Sequence, residues 1–107
     1  MAKKDVEKVR SESSRIRSFV DSLYDEMDKL SKKAPASEVS DLALERVNRA
    51  IQAAKDLMDK EDEFIADLKV FVAAGSNPEV RDALLVLGEI KGGISRVRRK
   101  YELPQYG

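Results

Sequence analysis

Residues 42–72 read LALERVNRAIQAAKDLMDKEDEFIADLKVFV, with apolar residues three then four positions apart from one end to the other. Leu44, Val47, Ile51, Ala54, Met58, Ile65, Leu68 and Val72 form one row, and Ala43, Ala50, Leu57, Phe64 and Phe71 form a second beside it. Such spacing places an apolar stripe along one side of a helix, where it serves as a seam against other helices. Glu61 interrupts the seam, but the acidic run Asp59, Glu61, Asp62 and Glu63 shifts the phase of neither row, and no Gly or Pro falls between Ser37 and Gly75. The stretch therefore predicts one long central helix over about 38–74, with Ser37 as its N-cap. The alternative is a break near Asp59 to Glu63, which turns the same chain into a four-helix bundle.

The rhythm recurs on both sides. Upstream it runs Val6, Val9, Ser13, Ile16, Val20, Leu23, Met27, Leu30, and downstream Val80, Ala83, Leu87, Ile90, Ile94, Val97, Tyr101, with Ser13 and Ala83 the weak positions. A first helix is expected over about 5–32, capped by Asp5, stopped by Ala34-Pro35, and turning Asp21, Asp25 and Asp28 to water. Gly75-Ser76-Asn77-Pro78 supplies a helix-ending glycine, an N-cap and a first-turn proline, so a third helix over 78–102 follows a tight turn. It contains Gly88, Gly92 and Gly93; the first two are a turn apart and predict close backbone approach by a neighbouring helix. Residues 103–107, with Tyr106, carry no seam and read as a loose tail. The fold class is all-α, a single domain over 1–107: an antiparallel up-down-up three-helix bundle with a long central helix.

Composition narrows the functional classes. The 107 residues include 20 basic and 20 acidic side chains, so no global field draws the molecule to nucleic acid or an anionic surface. Histidine and cysteine are both absent, which removes the usual general base, the usual zinc ligand and all thiolate chemistry. A non-enzyme without a cofactor is the expectation. No apolar run reaches the ~20 residues that cross a bilayer, and the N-terminus leads into charge, so no membrane and a cytoplasmic location are expected. Paired carboxylates on adjacent helices can hold Mg²⁺, but an antiparallel hairpin sets the Asp25/Asp28 pair opposite Glu45 rather than Asp56/Asp59.

Two partner classes follow. In a straight up-down-up layout the helices overlap only partly, and Leu84-Leu85-Val86-Leu87, Val39 and Leu42 leave apolar surface that a pair of helices cannot hide. This predicts a non-catalytic helical interaction module, a homodimer formed through its 64–87 hairpin, with Phe64, Leu68, Phe71, Leu84, Leu85 and Leu87 as the interface. Another protein's helix is the second candidate occupant of that surface. The alternative function is a nucleic-acid-associated protein that uses Lys3, Lys4, Lys8, Arg10, Arg96, Arg98, Arg99 and Lys100 on phosphates, without reading bases. A straight layout separates those two basic ends, whereas a bent one brings them together beside the acidic patch.

Overall fold

The computed structural model describes residues 6–72 and 75–104. Asp5, Lys3, Lys4 and residues 105–107 of the tail lie outside the described residues. The chain forms α1 (Val6–Lys33), α2 (Asp41–Met58), a single-turn α3 (Glu63–Ala66) and α4 (Val80–Lys100). All elements are helical, as the periodicity predicts, and they pack as one bundle. The long central helix does not form: α2 stops at Met58, where the N–H groups of Glu61 and Asp62 both turn back to the Met58 carbonyl. A helix over 38–74 would be about 55 Å long, yet the molecule measures 42 × 29 × 19 Å, its longest dimension matching α1 alone.

The first helix keeps its predicted seam. Val9, Ser13, Ile16, Val20, Leu23 and Met27 are buried, while Val6 and Leu30 at the ends are half exposed. α2 starts later than expected because Ser40, not Ser37, caps it, accepting from the Ala43 N–H at 3.1 Å. Ser37 to Val39 are committed elsewhere. The Val39 N–H donates to the Pro78 carbonyl and the Val80 N–H to the Ser37 carbonyl, closing a short antiparallel bridge. Val39 is buried by it, and Leu42 stays exposed. Asn77 secures this corner through its side-chain N–H groups, which donate to the Val39 carbonyl and to Asp41.

That corner decides direction. The first turn of α4 sits beside the α1–α2 loop, with the Arg81 N–H on the Pro35 carbonyl, and its far end reaches the start of α1, where Arg98 donates to Ser13 at 2.8 Å. α4 therefore runs antiparallel to α1 and parallel to α2, an up-down-down order rather than up-down-up. The reason is the connection. After α3 the chain returns along α2 as an extended strap held by side chains of that helix: Lys55 donates to the Leu68 carbonyl, and the Asn48 amide both donates to the Phe71 carbonyl and accepts its N–H. From Lys55 to Asn48 is about 10 Å of helix, and from Leu68 to Phe71 about 10 Å of extended chain, so the two run in step. With the helices side by side, the staggered layout and thin ends expected from a straight central helix do not arise.

α4 ends in a hydrogen-bonded cap. The Glu102 and Leu103 N–H groups donate to the Arg99 and Arg98 carbonyls, with Glu102 in the left-handed region at φ 56. Leu103 is buried, and the Arg98 guanidinium, itself 5% exposed, holds the Pro104 carbonyl with one N–H and Ser13 with another. The tail thus begins docked rather than loose, and the weak Ser13 of the first seam is the acceptor that a buried guanidinium requires. Because a β-carbon is disfavoured at φ 56, Glu102→Gly is expected to raise the stability of the folded chain by up to about 1 kcal/mol in a denaturant titration.

Candidate functional site

The reversal between α2 and α4 is built from the side chain of Asp62. Its Oδ1 accepts the N–H groups of Phe64 and Ile65, both at 3.1 Å, which caps α3. Two further donors come from α4: Arg96 Nε reaches Oδ2 at 2.6 Å and Nη2 reaches Oδ1 at 3.1 Å. The carboxylate is 5% exposed, against 42% for the guanidinium side chain. Beyond it, the Phe64 ring lies 5.0 Å from the Arg96 guanidinium carbon in cation–π contact. Ile65 points inward and is fully buried against Gly93, where a β-carbon would meet its Cδ1 and Cγ1 at 2.5 Å.

With α3 clamped in this way, a groove of about 720 Å³ runs along the outer side of α4. Leu84, Leu85, Gly88 and Gly92 line it from α4, Tyr24 from α1, and Phe64 and Leu68 from the reversal; Arg81, Glu89, Arg96 and Asp67 supply its polar edge. Leu85 and Phe64 stand out, 65% and 59% exposed. A β-carbon on Gly88 would meet Tyr24 Cε2 at an ordinary 3.8 Å, and one on Gly92 would meet Arg96 Nη1 at a tight 3.3 Å. The close backbone approach of a neighbouring helix expected at Gly88 and Gly92 is not found there; the tight contact is that of the Ile65 side chain with Gly93, and the first two glycines line the floor of the groove. Tyr24 is fixed by Lys91, whose ammonium lies 4.3 Å above the ring and 3.4 Å from Asp21.

Four of the six residues expected at an interface gather here: Phe64, Leu68, Leu84 and Leu85. Leu87 does not, being fully buried in the core, and Phe71 lies on the strap against Asn48. Of the expected phosphate contacts, Arg98 is turned inward and Arg96 is engaged by Asp62, whereas Lys8, Arg10, Arg99 and Lys100 are exposed. The bend does bring the basic ends of α1 and α4 together, and it lays the acidic turn beside them: the Lys100 ammonium donates to the Glu61 carbonyl and the Tyr101 hydroxyl to the Glu61 carboxylate. The charges there offset one another locally. Among the described residues no three carboxylates converge on a common point, and no helix is long and apolar enough to cross a membrane.

Periodicity alone does not reveal Asp62 or Asn48, because both act on backbone groups that become available once the helix has broken. The available signal for Asp62 was its place ahead of the apolar pair Phe64-Ile65, the position of an N-cap, hidden within an acidic run. No family model, curated protein or solved structure matches this chain.

The Arg96 hydrogen bonds hold the Asp62 carboxyl below its ordinary value of 3.8, with further lowering from the Ile65 N–H, the Arg96 charge and the Phe64 N–H, all against the opposing effect of burial. The same pairing raises Arg96. A depressed carboxyl contributes stability that is fully present above the unfolded-state value and lost as pH falls through the folded one. Asp62→Asn, which keeps a capping oxygen but loses the charge, is expected to cost about 1–2 kcal/mol at neutral pH. That difference should shrink as pH falls below the ordinary value of 3.8, as followed by urea unfolding across pH. Separately, in thermal melts Gly93→Ala is expected to lower stability by about 1–3 kcal/mol through overlap with Ile65, whereas Gly88→Ala should be neutral or stabilising.

Proposed function

We propose that this chain is a non-catalytic helical interaction module that pairs with a second copy of itself through the groove face of α4. The observation that carries this reading is the relation of Leu85 to Gly92. Leu85 is a protruding apolar side chain, 65% exposed, and Gly92 is a notch two helical turns further along the same face. A knob and a hole on one helix are self-complementary: two α4 helices laid antiparallel about a two-fold axis put each Leu85 over the other copy's Gly92, with the Gly88 and Glu89 positions meeting at the centre. Arg81 and Arg96 come face to face in that arrangement, but each already carries a carboxylate of its own, Glu79 for Arg81 at 2.7 Å and Asp62 for Arg96 at 2.6 Å. Phe64 flanks the paired helices and gains cover.

The phosphate-binding alternative has less support, since two of its cations, Arg96 and Arg98, are occupied within the fold. Sedimentation of the natural chain at tens of micromolar is expected to give twice the chain mass. Leu85→Glu should give a folded monomer with a melting temperature within a few degrees of the original, because an exposed side chain contributes little to the fold. A natural chain that sediments as a monomer, or a Leu85→Glu variant of undiminished mass, would sink this reading. In the monomeric case the groove is left for the helix of a different protein.

A further inference from the structure

We infer that the connection between α2 and α4 has a second, all-helical state, in which α2 continues through residue 72 and α4 is handed to a second copy of the chain. The first ground is that no residue of this stretch forbids a continuous helix. Asp59, Lys60 and Glu61 stand where it stops, no Gly or Pro lies within residues 42–72, and the seam keeps its phase from Met58 to Ile65, Leu68 and Val72. Besides the Asp62 cap on Phe64 and Ile65, the break is held from outside, by Arg96 on Asp62, Ile65 against Gly93, and Asn48 and Lys55 on the strap. The second ground is what the strap leaves wet: Val72, a seam position, is 81% exposed.

The third ground is length. Wound as a helix, residues 59–72 rise about 21 Å, against about 27 Å for the whole of α2. Such a helix carries the Asn77-Pro78 corner about 48 Å from its own α1–α2 loop, nearly two α2 lengths. An antiparallel second copy, set end to end at Met58, presents its own α1–α2 loop at that place. The partner's α2 then lies alongside the new helical segment, where the strap had been, and α4 enters the partner's bundle parallel to α2 as before. Its contacts with Ser13 and Asp21 are remade between copies, while those it makes with Glu61, Asp62 and Ile65 of the connection are given up. Exchange of an element through its hinge conserves the interfaces outside that hinge, so a small bias at the hinge suffices to select between states.

The test uses Leu85→Glu as background, which removes the proposed groove pairing and leaves exchange as the remaining route to a dimer. Adding Asp62→Ala deletes the cap and the partner of Arg96 and installs a strong helix former. After refolding from denaturant at high concentration, this chain is expected to show doubled mass by light scattering, slow dissociation on dilution and deeper far-ultraviolet ellipticity. Glu63→Pro is the counter-variant. Asp62 already has the extended backbone, φ −141 and ψ 112, that precedes proline, and residue 63 is the first of α3, so proline suits the reversal and forbids the continuous helix. Adding it should return the mass to that of one chain with the ellipticity of the compact form. Monomer alone in the Leu85→Glu, Asp62→Ala chain, loss of its ellipticity, or a dimer that survives Glu63→Pro each overturns the inference. None of these outcomes bears on whether the natural chain pairs through Leu85.

Discussion

The carboxylate of Asp62 is the point through which this structure turns. One oxygen supplies the cap that lets the chain start a new helical turn after α2, and the pair of oxygens binds the guanidinium of Arg96 in two places. Two such demands on one buried side chain are compatible because an ionised carboxylate offers several lone-pair directions, and donors from the backbone and from α4 approach along different ones. Burying a charge this deeply is costly unless it is fully bonded, and here four N–H groups are aimed at it. The consequence reaches beyond α3. Clamping Asp62 seats Ile65 against Gly93 and sends the chain back along α2 instead of onward into solvent.

The exposed face of α4 is a product of the same turn. α1 and α2 cover one side of that helix, and the reversal brings Phe64 and Leu68 to its edge, so the glycines at 88 and 92 become a recessed floor between taller neighbours. A groove that is apolar in the middle and charged along its rim is suited to receiving a helix, because the floor admits a side chain closely and the rim sets register. The parallel run of α2 and α4 also settles the electrostatics. By drawing the basic residues at the start of α1 and the end of α4 to the end where the acidic turn lies, the fold sets opposite charges side by side there.

Much of the architecture was legible in the residues. The rows beginning at Val9, Leu44 and Val80 supply most of the core, Leu30 and Val72 at their ends excepted, since an apolar side chain recurring every three to four positions gains by burial whatever the helix packs against. A turn near Pro78 was legible because proline acts on the backbone within a few residues of itself. Asn77, however, is not the expected N-cap: α4 starts at Val80 after Glu79, and the Asn77 amide donates to Val39 and Asp41 instead. The break at Met58 was not legible. An acidic run is acceptable on an exposed helix and in a turn alike, and the choice depended on Arg96, thirty-four positions away from Asp62. Arg98 was misplaced for a related cause, because a run of cations at the end of a helix reads as solvated unless one knows that Ser13 waits on the neighbouring helix.

By itself, then, the order of residues determined that the chain is helical, which sides of its helices are buried and where two of its turns fall, because each of these follows from short-range sterics and a repeating pattern. Tertiary structure decided whether the central helix is whole, which way α4 points and that a groove exists along it. Those outcomes rest on contacts between residues far apart in the chain, and the hydrophobic pattern fits a continuous and a folded helix equally well, so the interactions of Asp62, Asn48 and Gly93 with their distant partners select between the two.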